Sequence, residues 1–181
     1  MGMQFSDMVF ADQVKDMNGS AIREIFHLLK VPGMISFAGG NPASSALEPD
    51  VVSEIVSEVL KRDGTAILQY GATEGYAPLR ESIAEFVKGC GLNTSADAVL
   101  PVTGSMQAMD LLCKVLINPG DAILAEDPTF LGVLQTMRMY RANIQPIATD
   151  EFGAIPESVE EQIRKFKPKL IYIIPTFQNP T

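Results

Sequence analysis

Ala98-Val99-Leu100-Pro101-Val102-Thr103-Gly104-Ser105-Met106-Gln107-Ala108-Met109 is the stretch on which the fold turns. The apolar run 98–102 reads as a strand. At Thr103-Gly104-Ser105 it gives way to apolar residues at helical spacing, which predict a helix over 105–116. A strand that breaks and restarts as a helix aims several backbone N–H groups at one spot, and such a spot favours a phosphate. The motif is neither G-x-G-x-x-G nor G-x-x-x-x-G-K-[ST], so a dinucleotide fingerprint and a nucleotide P-loop are both unsupported. A plain Gly-Ser helix start, with Ser105 as N-cap, accounts for the same residues equally well.

Outward from this stretch the pattern alternates. Strands are predicted over 98–102, 121–125, 143–147 and 169–175. Helices are predicted between them over 105–116, 129–140 and 156–166. The last helix carries Glu157, Glu160 and Glu161 early and Arg164 and Lys165 late, matching the helix dipole. Leu170-Ile171-Tyr172-Ile173-Ile174 is apolar at every position, as a strand covered on both faces would be. Short strands alternating with helices imply an α/β protein, a three-layer sandwich with a mainly parallel sheet. In such sheets ligands sit at the carboxyl ends of the strands. Those ends are 103–107, 126–130 and 175–181.

The first forty residues read differently. Ser20 can cap a helix over 21–30, with Ile22, Ile25, Phe26 and Leu29 on one face, stopped by Pro32-Gly33. A short extended piece, 35–38, runs into the loop Gly39-Gly40-Asn41-Pro42. Pro49 and Asp50 open a helix bearing Val51, Val52, Ile55, Val56, Val59 and Leu60, ended by Asp63-Gly64. A polar, glycine-bracketed loop covers 69–75. A helix over 77–88 is expected to turn Leu79, Ile83, Phe86 and Val87 inward.

The chain has 181 residues, enough for one sizeable core. Its net charge of −8 argues against nucleic acid and against an anionic membrane surface as partners. No apolar run reaches the length of a spanning helix. The first residues carry Asp7 and Asp12 and lack a basic region followed by an apolar one, so no secretory signal is read there. The two cysteines, Cys90 and Cys113, make no disulfide framework, and Cys113 falls on the apolar face of its helix. They read as reduced thiols of a cytoplasmic protein.

Each candidate site residue carries two readings. Glu126-Asp127-Pro128-Thr129-Phe130 is first a helix start capped by Asp127 or Thr129; its functional reading places the Phe130 ring where a flat ring can stack. Gln178-Asn179-Pro180-Thr181 is an Asn-Pro turn, or a turn whose Asn179 amide donates to a ring oxygen, with a cis bond open to Pro180. Tyr70 is either a surface tyrosine or a hydroxyl donor to a phosphate. Gly39-Gly40 forms a turn or lets backbone approach a ligand. Arg23 is by default a solvated arginine, and on the sharper reading an anion ligand. His27, the only histidine, has no evident metal partners in the sequence and reads as structural.

Five segments occur in one order: Ser36-Phe37-Ala38-Gly39-Gly40-Asn41-Pro42, Leu68-Gln69-Tyr70-Gly71 with Gly75, Thr103-Gly104-Ser105-Met106-Gln107, Glu126-Asp127-Pro128-Thr129-Phe130, and Pro175-Thr176-Phe177-Gln178-Asn179-Pro180-Thr181. In order and spacing the set resembles the fold-type I pyridoxal-phosphate aminotransferases of class I and II, over nearly the whole chain from about Ser20. The start of the helix at Ser20-Ala21-Ile22-Arg23 is similar to the branch of 2-aminoadipate and kynurenine aminotransferases, and to aminotransferase-like domains of some bacterial regulators.

The resemblance implies a cofactor, pyridoxal 5′-phosphate, and a set of roles. Ser105 and the N–H groups near Gly104 and Met106 would hold the phosphate. Phe130 would stack on the pyridine ring, where many relatives place Tyr. Asn179 would donate to the ring's O3′ and lie near the substrate. Tyr70 would reach the phosphate of the neighbouring subunit in a homodimer. Gly40 would lie beside the substrate carboxylate and Arg23 near its side chain. Met106 stands where relatives often have Gln.

The implied reaction is ping-pong transfer of an amino group between an amino acid and a 2-oxo acid. Residues 1–48 would form an N-terminal arm and part of a small domain, and 49–181 the first part of the large cofactor domain, incomplete here. The family's Schiff-base Lys, its pyridine-pairing Asp and its two anion-binding Arg residues follow the Asn-Pro-Thr segment, so no catalytic residue is assigned within 1–181. The expectation is that 1–181 alone is inactive and binds the cofactor weakly or not at all. The alternatives are a lyase or decarboxylase on the same fold, or a regulator's sensor domain. The regulators carry a DNA-binding domain ahead of this region, and only about twenty residues precede the first predicted helix.

Overall fold

The computed structural model describes residues 11–15, 33, 35 and 42–181. The helix predicted over 21–30, the extended piece at 35–38 as a whole, and Arg23, His27, Gly39 and Gly40 lie outside the described residues. The chain divides into two compact units, Gly19–Pro101 on one hand and Met1–Asn18 with Val102–Thr181 on the other.

In the first unit, α1 (Pro49–Asp63) starts at a proline in its first turn and carries Lys61 and Arg62 in its last. A single turn, α2 (Thr65–Leu68), follows, and then α3 (Ala77–Gly89). Gly75, at φ +96°, closes the intervening loop in a conformation that suits glycine. The inward face expected for α3 needs correction: Ala84 is buried, whereas Leu79 and Phe86 are 46% and 73% exposed. The run 98–102 is not a strand either. Ala96–Ala98 is a 3₁₀ turn, and the extended Val99 pairs with no strand among the described residues. Its carbonyl is taken instead by Arg80 Nε at 3.0 Å, which also reaches the Ala96 carbonyl, and Pro101 has no N–H to offer a ladder.

The second unit is built on three parallel strands. After α4 (Gly104–Leu116) come β1 (Ala122–Glu126), α5 (Leu131–Met139) and β2 (Asn143–Ile147). A small antiparallel pair, β3 (Thr149–Asp150) and β4 (Gly153–Ala154), leads to α6 (Pro156–Phe166) and β5 (Leu170–Tyr172). The order is β2-β1-β5, with Ala122 opposite Asn143 and Ile123 opposite Leu170. The chain leaves β1 for β2 on one side and returns on the other as β5. The connection therefore changes direction between β1 and β5, the kind of switch point at which open α/β sheets bind ligands.

Every residue of β1 is buried, so both its faces are covered. Ile123 packs into a core with Met109 and Cys113 of α4 and Val133 and Met137 of α5, while α6 packs on β1 and β2. Met109 and Cys113 are four residues apart, as are Val133 and Met137, so each pair lies on one helix face. Burial raises the Cys113 thiol pKa, with the Asp110 charge adding to it. The arrangement is α/β with a parallel sheet, as the alternation predicts. β5 departs from expectation: it covers only Leu170–Tyr172, and Ile171 and Ile173 are 40% and 47% exposed. As an edge strand among the described residues, β5 has one neighbour, and its second face is not covered.

Candidate functional site

Two strand ends and one helix start supply the site. The helix start is α4. Thr103, not Ser105, is the N-cap; its side chain makes no cap bond, and its own N–H is accepted by the Gln107 side chain four residues on. The Gly104 N–H is also occupied, donating to the Val102 carbonyl at 3.0 Å. Gly104 contributes room instead: it sits at φ +78°, and a Cβ there would have nothing within 4 Å. The N–H groups of Ser105 and Met106 belong to the first turn, where a helix offers them no carbonyl. An open, left-handed glycine beside two free first-turn donors and the exposed Ser105 hydroxyl fits a phosphate.

Beyond β1, the chain passes through a cis Asp127-Pro128 bond to Phe130, the N-cap of α5. Neither Asp127 nor Thr129 caps this helix. Thr129 is buried, and its hydroxyl has no partner among the described residues. The Phe130 ring and the Met106 sulfur meet over Gly132: a Cβ built on Gly132 would lie 2.7 Å from Phe130 Cε1 and 3.1 Å from Met106 Sδ. The structure thus brings the helix start and the aromatic ring together.

Beyond β5, a second cis bond, Asn179-Pro180, turns the chain. Gln178 fastens this turn. Its Nε2 donates to the Pro128 carbonyl at 2.8 Å, and its Oε1 accepts from the N–H and hydroxyl of Thr181. Glu126, 4% exposed, holds the base of the turn by accepting the Ile174 N–H at 2.8 Å. The phenol pKa of the neighbouring Tyr172 is raised, first by burial and then by the negative charge of Glu126. Asn179 follows Gln178, the residue whose side chain reaches the Pro128 carbonyl. Tyr70 lies in the other unit and is 99% exposed.

Sequence reasoning named the segments holding Glu126, Gln178 and Gly132 but gave these residues no role. One signal was present for Glu126: a carboxylate ending the apolar run Ala122-Ile123-Leu124-Ala125 needs partners once buried. Nothing in the sequence marks Gly132. Among the described residues, no group of three or more His, Cys, Asp or Glu could hold a metal, and no helix is long and apolar enough to cross a membrane.

Fold and site together define an α/β protein in which a helix start with unpaired first-turn donors and an aromatic ring are brought together beside a parallel sheet. Residues 32–181 match the family described as aminotransferase class I and II, and the chain belongs to that family. It is 37% identical over 177 residues to the aromatic-amino-acid aminotransferase 1 of Thermococcus litoralis, covering 94% of this chain and 42% of the relative. It superposes with a TM-score of 0.84, at 33% identity, on the kynurenine aminotransferase of Pyrococcus horikoshii solved with PMP, covering 95% of this chain and 44% of that one. With the alpha-aminoadipate aminotransferase of Thermus thermophilus, solved with N-(5′-phosphopyridoxyl)-L-leucine, the TM-score is 0.81 at 36% identity, covering 99% and 43%. The chain thus spans less than half the length of the relatives it matches.

Proposed function

We propose that the protein to which this chain belongs is a pyridoxal-phosphate-dependent aminotransferase, moving an amino group between an amino acid and a 2-oxo acid. The observation that carries this reading is the meeting of the α4 start and the Phe130 ring at the switch point. One offers first-turn donors to a phosphate, the other a face to a flat ring. A phosphate on a heteroaromatic ring is the ligand that uses both.

Ser105, with the Ser105 and Met106 N–H groups, holds the phosphate. Gly104 leaves the space for it. Phe130 stacks on the ring, and Asn179 donates its amide to the ring's O3′. Tyr70 donates its hydroxyl to the phosphate bound by a second copy in a homodimer; a side chain so exposed is available for that. To Gly40 this reading assigns the substrate carboxylate, and to Arg23 the substrate side chain. Bound pyridoxal phosphate supplies an electron sink for the substrate's Cα, and the residues here bind and orient it. On this reading residues 1–48 belong to an N-terminal arm and part of a small domain, and 49–181 to the first part of the large cofactor domain, of a cytoplasmic enzyme.

The test uses the full-length protein. A visible cofactor band should bleach on adding an amino acid and return on adding a 2-oxo acid. Absence of a bound cofactor would defeat the reading. Amino-acid breakdown with no 2-oxo acid requirement would favour a lyase or decarboxylase of the same fold.

A further inference from the structure

We propose that Gly132 is a positioning residue: the side chain it lacks leaves the space in which the Phe130 ring is seated against α4. The inference rests on the role proposed above for Phe130. Gly132 is the second residue of α5, and its φ lies outside the left-handed range, so its backbone does not require glycine. Helix propensity favours alanine at such a position. What excludes a side chain is space. A Cβ at Gly132 would lie 2.7 Å from Phe130 Cε1, 3.0 Å from Phe130 Cζ and 3.1 Å from Met106 Sδ, where ordinary contact begins at 3.4 Å. No other described glycine has so short a distance.

The three contacts come from two directions. Phe130 immediately precedes α5 and folds its ring forward over the first turn. Met106 reaches across from the first turn of α4, two residues beyond Gly104. The bare backbone at Gly132 is therefore the floor under the ring, with the Met106 sulfur as its side wall. An aromatic ring helps a ligand ring only at a stacked or edge geometry, so a ring pushed off its floor loses that contribution.

The experiment titrates the full-length apo-enzyme with pyridoxal 5′-phosphate, following quenching of protein fluorescence, for wild type, Gly132→Ala, Phe130→Ala and the double variant. Gly132→Ala is expected to raise the dissociation constant about 3- to 10-fold, the range of an aromatic contact. Phe130→Ala should raise it at least as much. The double variant should bind no more weakly than Phe130→Ala alone, because the alanine at 132 then has no ring to displace. Affinity for inorganic phosphate, which has no ring, should not change in Gly132→Ala.

If Phe130→Ala weakens binding and Gly132→Ala does not, the inference fails while the stacking role stands. Unchanged binding in Phe130→Ala defeats the stacking role and the inference with it. Additive losses, or an equal loss of phosphate affinity, overturn the inference by placing the effect outside the ring. Should Gly132→Ala not fold by far-UV circular dichroism, the double variant, relieved of the ring, is expected to fold. A double variant that also fails to fold overturns the inference.

Discussion

The Glu126 carboxylate, buried at the end of β1, accepts the Ile174 backbone N–H at 2.8 Å just beyond the end of β5. This bond staples two adjacent strand ends at the switch point of the sheet. Gln178 extends the staple by bonding the Pro128 carbonyl, so both proline turns hang from one network. Only Glu126 in this network is buried, and a buried carboxylate fixes geometry when its partners are in place.

Glu126→Ala should therefore destabilise the protein by about 1–3 kcal/mol, since it leaves the half-buried Ile174 N–H without its acceptor. Glu126→Gln keeps an acceptor oxygen of the same reach and should lose less. Urea denaturation of the two variants tests this. Equal losses would mean that charge, not the acceptor, holds the strand ends.

Tyr70 lends itself to a complementation test. If it serves the site of the neighbouring subunit, a hybrid dimer of Ser105→Ala and Tyr70→Phe chains has one doubly damaged site and one intact site. Half the sites should then bind pyridoxal phosphate with wild-type affinity, while each homodimeric variant binds about tenfold or more weakly, as loss of a hydrogen bond to a charged group predicts. A hybrid without any wild-type sites would return Tyr70 to its own subunit's site, and wild-type affinity in the Tyr70→Phe homodimer would assign it to no site.

The core prediction concerns Met137, fully buried on α5 beside Ile123 and Val133. Met137→Ala should lower the unfolding free energy by about 2–5 kcal/mol, the range for truncating a buried side chain and leaving a cavity. A loss below 1 kcal/mol, read by denaturant titration, would show that the site collapses freely.

Periodicity carried most of the second unit. The apolar spacing of Met109 and Cys113, the run 122–125 and the charge order of 156–166 each name an element that the structure contains. Failures came where long-range contacts decide. Val99 is extended, as its neighbours suggest, but a strand needs a partner, and Arg80 takes its carbonyl instead. Leu79 and Phe86 repeat at helical spacing yet stay exposed, because spacing says which residues share a face and not what covers it. The site was legible as three segments. Its geometry was not, since the Gln178 bond to Pro128 spans 50 residues and the Phe130–Met106 meeting depends on how two helices pack.

The opposite end of the sheet yields a pH prediction. Lys169 Nζ donates to Asp121 Oδ2 at 2.6 Å, just before β5 and β1 begin, and the Asn118 N–H donates to the same oxygen. The Lys169 hydrogen bond first, and the Asn118 N–H second, lower the Asp121 carboxyl below its ordinary 3.8. Near pH 4 the unfolded chain thus holds more protons at this residue than the native one. The stability it contributes is present above that pH and is lost as the pH falls through the depressed native value. Asp121→Asn should lower the urea midpoint at pH 7, and its gap from wild type should close as the pH is taken below 3.8. A gap that stays constant down to about pH 3 would assign the effect to packing rather than charge. Because Asp121 sits at the amino ends of the strands, beside the end of α4 and not its start or Phe130, the same variant should bind pyridoxal phosphate as wild type does. A change in that affinity would mean that the two ends of the sheet are coupled.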